Sequence, residues 1–192
     1  MGRTLYHTVE DDGNPDLIRA NAPFLCKDTS EQLEAWFGEG YYFWDTLIQL
    51  PHWWGKSHYI RRNKKYAICS TTLLCPNNEV LDLVGNVEQI NDVREYVDIL
   101  EQTPEYDSAT FTAQFIINHM RRHTDFPYKA IRGCGTNSVS SDQNITKYRF
   151  PFSNRSQIDL CPAIQICVLD LSVIKRPMQI IYPEEYADNF TI

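Results

Sequence analysis

The chain has 192 residues, of which 43% are hydrophobic and 22% charged, and its net charge is −7. These values predict a single soluble domain over residues 1–192 that buries a core without disulfide bonds. No stretch is long and apolar enough for a membrane span, and the opening residues MGRTLYHTVEDDG lack the apolar run of a signal peptide. The six cysteines include no Cys-x-x-Cys pair, so we expect reduced thiols and a cytoplasmic location.

The charge is distributed unevenly along the chain. Residues 79–107 hold nine acidic residues and one basic residue, whereas the rest of the chain has 17 basic and 16 acidic residues. A basic cluster follows position 55 and consists of Lys56, Arg61, Arg62, Lys64 and Lys65. Because the local field decides whether a phosphate approaches, this cluster is a candidate nucleic-acid-binding site. The alternative is that it forms only a solvated hairpin or loop.

The hydrophobic pattern predicts strands at both ends of the chain with helices between them. Alternating residues predict a first strand over 3–9, a short helix follows from Pro15, and a helix is expected over 30–37. A strand over 41–44 then leads to a helix over 45–54 that Asp45 caps. Further strands are expected at 65–74, 80–84, 128–131, 147–152, 163–171 and 179–182. Apolar steps of three and four predict two helices between 87 and 123, and the whole pattern indicates an α+β fold.

Three separated motifs carry candidate chemistry. The first is LYHT, which places His7 on a strand; the second is GEGYYF, which contains Tyr42 and is followed eleven residues after this Tyr by Trp53. The third is QICVLDLS, which opens a buried strand with Gln165. Each motif alone is typical of an ordinary feature: a hydrogen-bonded strand histidine, a glycine turn, or a satisfied polar group in a core strand.

Taken in this order, the motifs resemble the ADP-ribosyltransferase superfamily, in the branch of the poly-ADP-ribose polymerases and diphtheria toxin. That branch has Leu-x-His-Gly on a strand, then Gly-x-Gly-Ile-Tyr-Phe with an aromatic residue eleven positions beyond its Tyr, and finally Glu-Tyr-x-Val-Tyr-Asp. The matching positions here are His7, Tyr42, Trp53 and Gln165. The segment GEGYYFWD…HWWG is also similar to small bacterial relatives. The resemblance covers about the first 55 residues and residues 160–175.

This resemblance implies an α+β ADP-ribosyltransferase-like fold in which split mixed or antiparallel sheets form an NAD cleft. The helical pair around 87–123 would be an insert. It also implies that NAD is the substrate and that no metal takes part. The reaction would break the bond between nicotinamide and ribose through an oxocarbenium-like state. Its catalytic residues would be His7, Tyr42 and Gln165.

The resemblance also assigns individual contacts to NAD. His7 would donate a hydrogen bond to a ribose hydroxyl, and the main chain of Thr8 would hold the nicotinamide amide. Tyr42 and Trp53 would face the two sides of the cationic ring, with a cation–π attraction of about 1–2 kcal/mol. Thr8 departs from the family, which has glycine at this position for close backbone approach.

Gln165 departs further, because the family has Glu there and an amide cannot take up a proton. Four hypotheses follow. The acceptor is already nucleophilic; another acid such as Asp142, Asp159 or Glu185 serves; NAD is bound without turnover; or a natural Glu was deliberately replaced. Ala163 removes the paired acid of the arginine-specific toxins, which argues against that subclass. Because polymer formation normally needs the Glu, single transfer is favoured.

Together these arguments predict an NAD-dependent mono-ADP-ribosyltransferase that acts as a bacterial toxin or phage-defence effector. The basic cluster favours nucleic acid over protein as the acceptor, and an antitoxin would be a natural partner. One alternative is an inactive NAD- or ADP-ribose-binding regulatory module. Another is an interaction domain without a nucleotide site, whose acidic segment 79–107 docks a partner. His119 and His123 form an i, i+4 pair, but Met120 replaces the Glu of zinc peptidases, so no metal site is expected.

Overall fold

The computed structural model describes residues 2–27, 35–135, 147–151 and 157–187. In these ranges the strands are β1 (Arg3–Asp11), β2 (Tyr41–Asp45), β3 (Lys65–Leu73), β4 (Val80–Asp82), β5 (Ala130–Cys134), β6 (Lys147–Arg149), β7 (Gln157–Asp159), β8 (Ile164–Val168) and β9 (Gln179–Tyr182). The α-helices are α1 (Pro15–Asn21), α2 (Gln49–Trp54), α3 (Val87–Glu101) and α4 (Ala113–His123).

Seven strands form one sheet in the order β4-β5-β8-β2-β1-β3-β9. Neighbouring strands are antiparallel except β4 and β5, which are parallel. β6 and β7 form a separate two-stranded hairpin. The prediction of an α+β fold is therefore confirmed at the level of a mixed fold with a mostly antiparallel sheet. The first and last strands share this sheet, with β3 between them.

The main hydrophobic core covers one face of the sheet. Alternation along β1 buries Leu5 and Val9 there, beside Phe43, Ile166 and Val168 of the central strands. Helix α1 contributes Ile18 to the same cluster. Its first turn is stabilised by Asn14, whose side chain accepts from the Leu17 amide.

The opposite face carries two smaller clusters. One contains Phe37, Ile117 and Cys167, so it joins α4 to the sheet. The other contains Trp44 and Leu50, so it joins α2 to the sheet. Both α3 and α4 lie between β4 and β5 in the chain, where the apolar periodicity predicts a helical pair. The side chain of Thr112 caps α4 by accepting from the Phe115 amide.

Some predicted boundaries are wrong or fall elsewhere. Asp45 ends β2 and does not cap a helix, since α2 begins at Gln49. Beyond α2 the chain continues through a π-helical turn (Gly55–Tyr59) and a 3-10 turn that ends at Arg62. The helix expected over 30–37 lies mostly outside the described residues. Within the described ranges every helix falls short of the length and apolarity that a membrane-crossing helix requires.

Candidate functional site

The three motif strands are direct neighbours, in the order β8-β2-β1. Tyr6 faces Trp44 across β1 and β2, and Trp44 faces Gln165 across β2 and β8. The fold therefore brings together three motifs that are far apart in the chain. Because alternate residues of a strand share a face, Tyr42 lies on the same face as Trp44 and Gln165.

β1 and β2 diverge immediately after this contact. Their paired residues are Leu5 with Asp45 and Tyr6 with Trp44. One residue before Leu5, the carbonyl of Thr4 accepts from the Thr46 amide at 3.1 Å. β1 remains paired with β3 along its full length, through Asp11. The strands thus separate at His7, in the middle of β1 and beside the GEGYYF motif.

The imidazole of His7 bridges the point of divergence. Its Nε2 accepts from the amide of Phe24 at 3.1 Å, so the proton lies on Nδ1, which donates to the carbonyl of Tyr42 at 2.8 Å. Burial lowers the pKa of His7 to about 4, which favours this neutral ring. Both ring nitrogens are therefore engaged within the protein. The expected donation from His7 to a ribose hydroxyl is not compatible with these two bonds.

The same bridge leaves the main chain of Thr8 without a partner on β2. In the register of β1 and β2, Thr8 would face Tyr42, whose carbonyl accepts instead from His7. Thr4 and Tyr6 direct their main-chain groups toward β2, and by alternation so does Thr8. Within the described ranges, the N–H and C=O groups of Thr8 have no hydrogen-bond partner from β2. A donor and an acceptor side by side on one residue complement a carboxamide.

The side chain of Thr8 has a separate role. Its hydroxyl donates to the carbonyl of Pro51 at 3.2 Å and so attaches α2 to β1. Helix α2 carries Trp53, the predicted ring partner, and this bond places the helix beside the divergence. A threonine at this position thus contributes an anchor that glycine lacks.

Tyr42 is tied into its own motif by its hydroxyl. The hydroxyl accepts from the Phe37 amide at 2.8 Å and donates to the Gly38 carbonyl at 2.7 Å. Gly38 has a φ of 86°, and a Cβ there would lie 2.5 Å from the Asn118 side chain, so this turn requires glycine. Burial raises the pKa of Tyr42, which keeps the hydroxyl protonated. What Tyr42 can offer a ligand is its half-buried ring.

Trp44 was not predicted as a site residue, although it joins the other parts. It is 6% exposed, lies opposite Gln165, and meets the ring of Trp53 edge-on at 6.1 Å between centroids. The ring centroid of Trp54 lies 6.2 Å from that of Trp44. Trp44 is two residues beyond Tyr42, and this spacing was the signal in the sequence that could have identified it. Trp53 therefore contacts Trp44 of the candidate site. Within the described ranges, the ring of Trp53 makes no direct contact with the ring of Tyr42.

Gln165 has an unsatisfied polar atom. Its Oε1 is buried and has no hydrogen-bond partner among the described residues. In the register of β5 and β8, Gln165 lies opposite Gly133, and a Cβ on Gly133 would lie 2.3 Å from the ring of Phe37. Most buried polar atoms are paired, and an unpaired one costs about 1–3 kcal/mol. A ligand N–H or O–H group at this position would relieve that cost.

Two of the acids predicted to replace the missing Glu lie at different distances from β8, the strand that carries Gln165. Asp159 accepts from the Cys161 amide at 2.9 Å. Burial and the charge of Asp159 together raise the pKa of Cys161 and of Cys134, and Cys134 pairs with β8. Asp159 is therefore close to the strand that carries Gln165. Glu185 follows β9, four strand positions from β8, and Asp142 lies outside the described residues.

The basic cluster is helical and exposed. Lys56, Arg61 and Arg62 lie on the helical extension of α2, and Lys64 and Lys65 follow it into β3. The alternative of a solvated hairpin or loop thus agrees in solvent exposure, but most of the cluster is helical. The ring of His58 stacks on Trp54 at 4.8 Å, so the cluster and the tryptophans share one helical segment.

An ionic network holds the paired end of β1 and β2. The carboxylate of Asp45, with a side chain only 2% exposed, accepts from Arg3 at 2.8 Å and from Arg132 at 2.7 Å. Arg132 also donates to Asp82 at 2.9 Å. These bonds connect β1, β2, β4 and β5. They keep the strands together at one end, so that the divergence is confined to the other.

The described ranges contain no group of three or more His, Cys, Asp or Glu residues arranged to hold a metal ion. Comparisons with known protein families, curated proteins and solved structures found no match to this chain.

Proposed function

We propose that this protein is an NAD-dependent mono-ADP-ribosyltransferase that modifies a macromolecule. The observation that carries the proposal is the divergence of β1 and β2 at His7, which leaves the N–H and C=O groups of Thr8 facing the GEGYYF motif. The carboxamide of nicotinamide has the complementary acceptor and donor. In this proposal the divergence is part of a cleft between two portions of the sheet.

With the carboxamide bound at Thr8, the other contacts to NAD can be assigned. The nicotinamide ring lies against Tyr42, with Trp53 and Trp44 completing the aromatic wall. The buried Oε1 of Gln165 accepts a hydrogen bond from a ribose hydroxyl. His7 is a positioning residue here, since it fixes the Tyr42 carbonyl and thereby holds the strands apart.

The chemistry is a substitution at the anomeric carbon of the ribose. The glycosidic bond to nicotinamide breaks, and its electron pair leaves with the neutral nicotinamide. A nucleophile on the acceptor then forms a bond to the same carbon, which has oxocarbenium character in the transition state. The acceptor's proton passes to a base. Gln165 cannot take it; of Asp159 and Glu185, the two acids within the described ranges, Asp159 is the one next to β8.

We further propose that the acceptor is a nucleic acid. The exposed basic cluster continues the helix that carries Trp53, so a phosphate backbone bound there would run toward the aromatic wall. As the resemblance implies, the protein would act as a toxin or defence effector with an antitoxin partner.

A second function is favoured by one observation, the amide at position 165. A site that binds NAD but has no carboxylate on β8 suits a regulatory module that senses NAD or ADP-ribose without cleaving it. The two functions differ in a single measurable product, which is free nicotinamide.

The experiment combines two measurements. Purified protein is incubated with NAD labelled in the adenosine portion, with and without cell lysate, and free nicotinamide and macromolecular label are quantified. The proposal expects nicotinamide release and label that nuclease removes. Label removed by protease would instead identify a protein acceptor. A rise in Tm with NAD but no nicotinamide would support the regulatory module, and no rise in Tm would support an interaction domain.

A further inference from the structure

A second concave surface lies along α4, and Asn118 in its lining contacts Gly38 of the GEGYYF motif. It encloses about 300 Å³, and its lining includes Thr112, Phe115, Asn118, His119, Arg122 and His123. We call it the α4 groove. Its volume is at the lower end of the range found for small-molecule sites, about 300–1,000 Å³.

One wall of the α4 groove is a ladder of flat rings. Phe115, His119 and His123 follow one another at steps of four residues and therefore share one face of the helix. The centroids of Phe115 and His119 are 5.7 Å apart, and those of His119 and His123 are 4.2 Å apart with an interplanar angle of 28°. Because His119 and His123 stack face to face, the surface offered to a planar ligand is the outer face of the exposed His123 at the end of the ladder.

The middle ring of the ladder is fixed by two tyrosines. The hydroxyl of Tyr96, on α3, lies 2.6 Å from Nδ1 of His119, and that of Tyr106 lies 2.8 Å from Nε2. Burial, together with the charges of His123 and Arg122, lowers the pKa of His119. The two hydroxyls thus hold the ring in one orientation, and its burial disfavours the charged form.

The rim of the α4 groove is cationic. Arg122 is exposed on the groove, and no ion pair to it is present among the described residues. An exposed guanidinium without an ion-pair partner can bind phosphate through paired N–H donors. Thr112 and Asn118 add short polar groups to the lining.

From this combination we infer that the α4 groove binds a nucleotide unit, with its base on the outer face of His123 and its phosphate on Arg122. The inference does not depend on NAD cleavage. The unit belongs either to a free mononucleotide or to a single-stranded nucleic acid, since both present a base next to a phosphate.

The test is calorimetric titration in the absence of NAD with adenosine 5′-monophosphate, inorganic phosphate and an eight-nucleotide single strand. We expect the monophosphate to bind, and inorganic phosphate to bind about tenfold more weakly because it lacks a base. The variant Arg122→Gln should weaken monophosphate binding about tenfold. Arg94→Gln, an equal change of charge on the exposed face of α3, should leave it unchanged.

A single strand that binds at least tenfold more tightly than the monophosphate, and loses this advantage in Arg122→Gln, identifies nucleic acid as the source, whereas equal affinity identifies a free nucleotide. Absence of monophosphate binding at millimolar concentration would overturn the inference, as would equal losses in Arg122→Gln and Arg94→Gln. His123→Leu provides a second test, since loss of the terminal ring should weaken binding of the monophosphate but not of inorganic phosphate. Nicotinamide release from NAD is measured separately, so failure here leaves the proposed function standing.

Discussion

The imidazole of His7 occupies, at the carbonyl of Tyr42, the place that the amide of Thr8 would have in a continuous ladder. One side chain thereby ends the pairing of β1 with β2, while β1 and β3 remain paired. The result is a main-chain donor and acceptor beside an aromatic ring. This exchange of a main-chain bond for a side-chain bond connects the fold to the proposed activity.

Stability should depend on pH through His7. As the pH falls below 6.5, the unfolded chain protonates this histidine, whereas the folded chain does not until about pH 4. The contribution is therefore complete above pH 6.5, is lost as the pH falls toward 4, and amounts to about 3 kcal/mol. The free energy of unfolding, measured by urea denaturation from pH 7.5 to 4, should fall less steeply in His7→Asn.

His123→Asn is the matched control, because His123 is exposed on α4. Because His123 lies against His119 and lowers its pKa, this variant should change the pH slope, but by much less than His7→Asn does. An identical slope in His7→Asn and the wild type would contradict the neutral, buried imidazole.

Loss of the Tyr42 hydroxyl should cost stability without removing the ring. Tyr42→Phe deletes the bonds to the Phe37 amide and the Gly38 carbonyl, which we expect to destabilise the fold by about 1–3 kcal/mol. Tyr148→Phe, at a ring that is 56% exposed, should change stability little. Chemical denaturation measures both. Tyr42→Phe should also bind NAD more tightly than Tyr42→Ala, and equal affinities would exclude a contact with the ring.

Gln165 should contribute to ligand binding and not to stability. Because its buried Oε1 lacks a partner, Gln165→Leu should unfold at the same free energy as the wild type or about 1 kcal/mol higher. The same variant should lose the rise in Tm that NAD produces in the wild type. A marked loss of stability would mean that Oε1 is satisfied in solution, and a retained rise in Tm would remove Gln165 from the site.

A carboxylate at position 165 should increase turnover. Gln165→Glu keeps the length of the side chain and adds a base, so nicotinamide release should rise about tenfold or more. The rate is measured by chromatography of free nicotinamide under saturating NAD. An unchanged rate would show that proton uptake at this position does not limit the reaction.

Variants of Asp159 and Glu185 test which of the two carboxylates acts as the base. Asp159→Asn should lower the rate of transfer to the acceptor by about 100-fold, because this acid lies beside β8. Glu185→Gln, beyond the far edge strand, should keep the wild-type rate. Equal rates in the two variants would reject Asp159 as the base, and a loss only in Glu185→Gln would reverse the assignment.

The sequence predicted the strands of the site better than the direction of its side chains. β1, β2 and β8 could be predicted because alternation and β-branched residues are local signals. The bond from His7 to Tyr42 could not, since it depends on a register between strands that are distant in the chain. The spacing of Trp44 from Tyr42 places it on the same face of β2, but its position opposite Gln165 is a property of the sheet and could not be read from the sequence.

Two further errors have a physical origin in tertiary contacts. Asp45 has the residue type of a helix cap, but two arginines bind its carboxylate and hold it at the end of a strand. Lys56–Lys65 resembles a turn in composition, yet stacking of His58 on Trp54 and packing of Gly55 under Tyr66 continue the helix through most of it. Local propensity is a weak guide where such contacts are available.

Binding of a carboxamide to the main-chain N–H and C=O groups of Thr8 can be tested directly by nuclear magnetic resonance. Nicotinamide is titrated into protein labelled with nitrogen-15, and the amide resonances of β1 are followed, with nicotinic acid as the control because its carboxylate cannot donate a hydrogen bond. We predict that the Thr8 amide shifts with nicotinamide and shifts much less with nicotinic acid. Saturating nicotinamide that moves other resonances but leaves Thr8 unchanged would contradict the account.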